Sequence, residues 1–225
     1  RADAYGRHLP GIGAALAQPS ASDRAPGTRF LLCRDKASGL AIGTARMQRN
    51  HPQPLPIEAS VELPPALAAL PRAEITRLAI APGADPLVPP LIVKACYLAA
   101  VASQIRLLVI GARSAALVRI YRHLGFTDLR PGGEPVPLAH AGGLPHQVLT
   151  FDVVGAERNW HACRYALYGF MVETWHPDLH LLDEPVALEP QLHSSQSYSR
   201  SGASIITARQ RESPALIASG ASSSA

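Results

Sequence analysis

ITRLAIAP (75–82), PPLIVKACYLAAVAS (89–103), IRLLVIGA (105–112) and RSAALVRIYRHLGF (113–126) follow one another in the chain. The first and third runs are short, apolar and rich in β-branched residues, so they read as strands. The second is too long for a strand and opens on Pro89 and Pro90, where proline fits a helix start. It is apolar on most sides and is expected to be buried. The continuous apolar run at 107–110 suits a central parallel strand. In the fourth run Ser114 is a helix N-cap and Gly125 the residue just past the helix end. Leu117, Ile120, Tyr121 and Leu124 share its predicted apolar face. A strand, a crossover helix and a second strand make a parallel pair.

Working outward, 29–34 and 40–47 read as strands joined by a turn at Ala37-Ser38-Gly39, a hairpin. A short helix over 4–16, broken by Pro10, and a polar loop over 18–27 precede it. Residues 48–72 carry six prolines and no sustained period, and are expected to be loop with a short helix near 66–70. A Gly/Pro-rich loop at 130–146 leads to a closing strand at 148–153. An amphipathic helix is expected over 156–175, with Trp160, Cys163, Leu167 and Phe170 or Met171 on one side, stopping at His176-Pro177. Residues 184–225 are rich in Ser and Ala and are expected to be disordered. The chain therefore divides into a main domain at 1–155, a packed helix at 156–183 and a tail. The fold class is α/β, a mixed sheet with helices on both faces, three layers in all.

The net charge of +4 rests almost wholly on arginine, since Lys36 and Lys94 are the only lysines. Part of it lies in the tail, at Arg200, Arg209 and Arg211. No element concentrates basic residues among aromatics, which argues against nucleic acid as a partner; an acidic protein partner remains compatible. No apolar run approaches the roughly 18 residues of a membrane span, so a soluble, cytoplasmic protein is expected. Cys33, Cys96 and Cys163 are odd in number and set in apolar runs, as expected of reduced core thiols in a cytoplasm. His140 and His146 lie near no third ligand, so no metal is expected.

The run IYRHLGF (120–126) at the end of the last strand–helix step resembles the closing half of the GCN5-related N-acyltransferase fold. The resemblance covers roughly residues 1–155. It implies a thioester cofactor lying between two splayed parallel strands, with Tyr121 facing the sulfur. Three further segments, GTAR (43–46), AEITRL (73–78) and HAGGLPH (140–146), resemble the long-chain N-acyl amino acid synthase branch, a relative of the acyl-homoserine lactone synthases. That branch implies transfer of a fatty acyl chain from acyl carrier protein to the α-amine of an amino acid. Two departures bear on the donor and the acceptor. Where an acetyl-CoA enzyme of this fold carries a Gly-rich pyrophosphate loop, residues 81–90 have one glycine, the acidic Asp85 and prolines that lack N–H groups. This favours the phosphopantetheine thioester of acyl carrier protein over acyl-CoA. Residues 1–28 offer only Asp3 and Asp23, which weighs against a sulfonium acceptor such as S-adenosylmethionine.

Amide formation from a thioester needs a deprotonated amine, a stabilised oxyanion and a protonated leaving thiolate. Glu74 is the candidate base, directly or through water; its alternative role is an ion pair with Arg77 or Arg46. Residues three apart on a regular strand point to opposite faces, so Glu74 and Arg77 share a site only across a bulge. Arg46 and Arg77 are candidates for an acceptor carboxylate, or form a structural ion pair. By resemblance, backbone N–H groups around Leu78, Ala79 and Ile80 are the oxyanion donors. Tyr121 is a candidate proton donor to the thiolate, or a core tyrosine. Arg113 and Ser114 are candidates for the pantetheine phosphate, with Ser114 more simply a cap. His140 and His146 are read as acceptor contacts or loop packing. The competing functions are an acetyl-CoA-dependent N-acetyltransferase and a catalytically silent binding module.

Overall fold

The computed structural model describes residues 18–181 and, as backbone, 203–208. The predicted helix at 4–16 lies outside them. The hairpin forms as β1 (Thr28–Asp35) and β2 (Ala41–Arg49). Loop 50–71, with 3₁₀ and helical turns at Pro56–Ala59 and Pro65–Ala68, leads to β3 (Arg72–Ile80). Then come α1 (Val88–Ala102), β4 (Leu107–Ala112) and α2 (Ala115–His123). Short β5 (Thr127–Asp128) and β6 (Val136–Leu138) precede β7 (Leu144–Asp152) and α3 (Ala156–Ala162). β8 (Leu179–His180) and β9 (Ala203–Ala208) follow.

The strand order is β5-β7-β4-β3-β2-β1-β9-β8, with β6 added onto β7. β3 and β4 are parallel, and their other neighbours β2 and β7 run antiparallel to them. One face of the sheet presents Ala73, Ile75, Leu108, Ile110 and Phe151 to α1, α2 and α3 in a single core. The opposite face carries Leu107, Val109 and Val148 under Leu55, Ile57, Val61 and Leu138. Among the described residues this third layer is thus built of turns and β6 rather than long helices.

Four expectations are corrected. The helix predicted over 156–175 ends at Ala162. Arg164 takes a left-handed conformation, and the N–H of Tyr165 donates back to the Trp160 carbonyl at 2.9 Å, a Schellman-like stop. The chain then re-enters the core at Tyr165 and, through a π-helical turn at Gly169–Glu173, at Met171, while Cys163 is left exposed. On α2 the buried residues are Val118 and Tyr121, whereas Leu117 and Ile120 face solvent. The Gly/Pro-rich loop is shortened, because β6 pairs with Leu144–His146 and draws them into β7. The expected disorder of 184–225 fails at Ala203–Ala208, which pairs antiparallel with β1; the remainder of that tail lies outside the described residues.

Candidate active site

β3 and β4 pair over only four rungs, from Arg72↔Leu107 to Ile75↔Ile110. Beyond them β3 continues with β2 as far as Gly43↔Ile80, and β4 continues with β7 as far as Ala112↔Gln147. The two strands therefore part after Ile75 and Ile110, leaving a wedge between 76–80 and 111–112. The cause is a bulge. Thr44 faces Ala79 and Arg46 faces Thr76, so two steps on β2 span three on β3, and Arg77 sits at φ 54°. Successive N–H groups on a strand alternate sides. The N–H of Ala81 donates to the Ile42 carbonyl of β2 at 2.8 Å. That of Ile80, and by the same alternation that of Leu78, turns toward the wedge; that of Ala79 turns to β2.

On the helix side, Ile75, Leu78, Cys96, Ile110 and Tyr121 help line a small apolar cavity of ≈ 20 Å³. Burial pushes the Cys96 thiol up to about 12, so it is a neutral wall. On the opposite side lie the charged groups. Glu74 is 1 % exposed. One of its carboxylate oxygens accepts the N–H of Ile57 at 2.9 Å, and the other lies 3.0 Å from His140 Nε2. Beside it, Asp23 bridges two arginines. Its Oδ1 accepts from Arg46 at 2.8 Å and lies 3.5 Å from Arg77 Nε, while its Oδ2 accepts the Ser20 N–H at 2.8 Å. Arg46 Nε also donates to Thr76 at 2.8 Å, and Arg77 to Ser20 Oγ at 3.1 Å. His146 packs against Gly111 and holds the Leu144 carbonyl at 2.8 Å through Nδ1. Burial lowers its pKa below the usual histidine range, with the nearby His140 and Arg113 acting in the same direction.

No protein-family model matches the chain, and no curated protein matches it either. Solved structures do. FeeM, an N-acyl amino acid synthase from uncultured soil microbes, is similar with a TM-score of 0.51 at 15 % identity, over 70 % of this chain and 86 % of its own. BjaI, a CoA-dependent acyl-homoserine lactone synthase solved with SAM and isopentyl-CoA, gives 0.49 at 15 % identity, over 75 % and 78 %. A GNAT family acetyltransferase from Elizabethkingia anophelis with acetyl-CoA bound gives 0.39 at 19 % identity, over 61 % and 86 %. The fold is that of the GCN5-related N-acyltransferases.

In an acetyl-CoA enzyme of this fold, by the resemblance above, the loop after β3 is where a pyrophosphate would rest. Here four of the ten positions 81–90 are prolines without an N–H. The N–H groups of Ala81, Ala84, Leu87 and Val88 are already bonded, that of Leu87 to the Asp85 carboxylate at 2.8 Å. Only Gly83 and Asp85 are left to offer donors, with a carboxylate beside them.

The structure brings Glu74, Arg46, Arg77 and His140 to one side of the wedge and Tyr121 and Leu78 to the other. The bulge places Glu74 and Arg77 on the same face, as the sequence argument required. Glu74 pairs with neither arginine; its partner is His140. Arg46, 3 % exposed, is held by Asp23 and Thr76, whereas Arg77 reaches 17 %. Ser114 caps α2, its Oγ accepting the Leu117 N–H at 3.3 Å. Arg113 stands exposed at the end of β4. Among the described residues no group of side chains has the makings of a metal site. Sequence reasoning missed Asp23 as the arginines' partner. The signal was present, since Ser20 and Asp23 have capping-box spacing.

Proposed function

We propose that the chain is an N-acyltransferase. It takes an acyl group from a thioester on the phosphopantetheine arm of acyl carrier protein and places it on the α-amine of an amino acid. The observation that carries the reading is the parting of β3 and β4 after four rungs, which leaves strand-edge N–H groups facing a wedge between an apolar and a charged surface. A thioester laid there has its carbonyl oxygen near the Ile80 N–H, its acyl carbon on the apolar side and its attacking amine on the charged side. Losing an oxyanion donor typically costs about 3–4 kcal/mol of barrier lowering. Tyr121 borders the apolar side and supplies the proton to the departing thiolate. Arg77 is the arginine placed to meet an acceptor carboxylate; Arg46 holds Asp23 in position.

Two observations support a carrier-protein donor. The loop at 81–90 has few N–H groups left for a pyrophosphate, which the carrier's arm lacks. The outer face of α2, with Leu117, Arg119 and Ile120 exposed, and Arg113 just before its cap give an acidic helix both charge and apolar contact beside the wedge. For the product rather than the donor, FeeM, one of the similar structures, is an N-acyl amino acid synthase. A buried fatty chain contributes roughly 0.8 kcal/mol per CH₂, so about ten would offset several lost phosphate hydrogen bonds.

A second reading, a short acyl group delivered by acetyl-CoA, is favoured by the size of the cavity. At ≈ 20 Å³ it holds about one water. A fatty chain enters only when lining side chains shift, and the unbranched Met171 is the adaptable one. Expression in a heterologous bacterium followed by lipid mass spectrometry tests the first reading: new N-acyl amino acids are expected. Soluble, abundant protein with no such product, together with micromolar calorimetric binding of acetyl-CoA, selects the second.

A further inference from the structure

Glu74 is sealed under Ile57 and His140 at 1 % exposure, so an acceptor amine does not reach it directly: one carboxylate oxygen accepts the Ile57 N–H, and the other lies 3.0 Å from His140 Nε2. His140 is different. Its side chain is 20 % exposed, Nε2 faces Glu74, and among the described residues Nδ1 has no hydrogen-bond partner. Glu74 is one rung from the last paired rung of β3 and β4, about 3.3 Å along the strand, so the ring stands beside the apex of the wedge on its charged side.

We infer that His140 is the proton acceptor for the attacking amine and that Glu74 is its positioning residue. This rests on the acyltransfer reading above. A buried carboxylate 3.0 Å from Nε2 favours the tautomer with its proton on that nitrogen, which leaves the lone pair on Nδ1. The groups facing His140 are Glu74 from β3 and His146 from β7, with Arg113 acting on His146. Burial disfavours the charged form of His146, which lessens the repulsion that a second imidazolium would bring to His140.

In the step itself the neutral amine attacks the thioester carbonyl, and the N–C bond forms as the oxyanion develops. One N–H proton passes to Nδ1 of His140. The C–S bond breaks, and the thiolate takes a proton from Tyr121. The proton on His140 then returns through solvent to the tyrosinate, so amide and free thiol are the only products.

The test uses the full chain with acyl carrier protein thioesters and amino acids, following kcat and KM against pH. His140→Gln is expected to lower kcat by about 10²–10⁴ with KM little changed and to remove the acidic limb of the pH profile. Glu74→Gln offers an amide N–H to Nε2, which moves the ring proton to Nδ1. Its kcat is expected to fall by a similar order, with KM little changed, because Nδ1 no longer presents a lone pair to the amine. Circular dichroism and thermal unfolding identify variants that have lost the fold; Glu74→Asp, which keeps the charge, is then expected to recover part of the rate. Wild-type activity with an unchanged kcat in folded His140→Gln overturns the inference while leaving the acyltransfer reading standing. A wild-type protein that transfers no acyl group from any carrier or CoA thioester overturns both.

Discussion

Asp23 is the residue on which the charged side of the wedge turns. It is buried between Arg46 and Arg77, each of which would lose its carboxylate if Asp23 were removed. Removing one member of a buried ion pair typically costs about 3–5 kcal/mol, because a buried charge is stranded. Asp23→Ala is expected to fall in that range in denaturant unfolding; a loss below about 1 kcal/mol would mean water already reaches the cluster. The cysteines make a second, independent case. Cys33 and Cys96 are buried, and burial chiefly pushes their thiols up to about 11 and about 12. The thiolate is the reactive form, so both are inert near neutrality. Cys163 is exposed just past the end of α3. Alkylation of the native chain at pH 8 is expected to modify Cys163 alone, and mass spectrometry of the digest shows whether it does.

Among the elements, α1 fixes how the wedge is walled, and it can lie where it does because β2 has no side chain at Gly43. A Cβ there would stand 2.6 Å from Ile92 Cδ1 and 2.9 Å from Val88 Cγ1. Gly43→Ala is therefore expected to push α1 off the sheet and cost about 1–3 kcal/mol in thermal or denaturant unfolding, as overpacked sites do. The hairpin, β3, α1, β4 and α2 were all legible in the chain's local pattern, as were the Ser114 cap and Gly125, whose φ of 99° suits a residue without a side chain. The end of α3 was not. Residues 156–175 hold an amphipathic period throughout, yet Arg164 turns left-handed because burial of Tyr165 rewards the chain for folding back. The apolar period on α2 misled in part: Tyr121 and Leu124 are buried as the stripe predicts, but Leu117 and Ile120 face solvent and Val118 takes their place in the core.

Taken as one body, the protein is a twisted mixed sheet whose far edge is stabilised by ties between β5, β7 and α2. Asp128 accepts from both Arg122 and Gln147. The Arg122 bond, with help from Gln147, holds its carboxyl below the ordinary value of 3.8 in the fold. The unfolded chain therefore takes up this proton first. The stabilisation is present above 3.8 and is lost as the pH falls through the lower folded value. Unfolding curves of Asp128→Asn are expected to lose less stability than the parent between pH 4 and pH 2; equal losses would show that the tie is screened by water. What could be read from order and composition is what depends on neighbours in the chain: the alternation that makes strands, the period that makes helices, and the prolines at 81–90 that deprive a phosphate loop of donors. Those are properties of the covalent backbone and of residues a few positions apart. The bulge at Arg77, the wedge it opens, and the pairings of Asp23 with two arginines and of Glu74 with His140 come from strand register and from packing between distant segments. A buried charge takes the nearest opposite or hydrogen-bonding group in space, and which group that is emerges only once the sheet has closed.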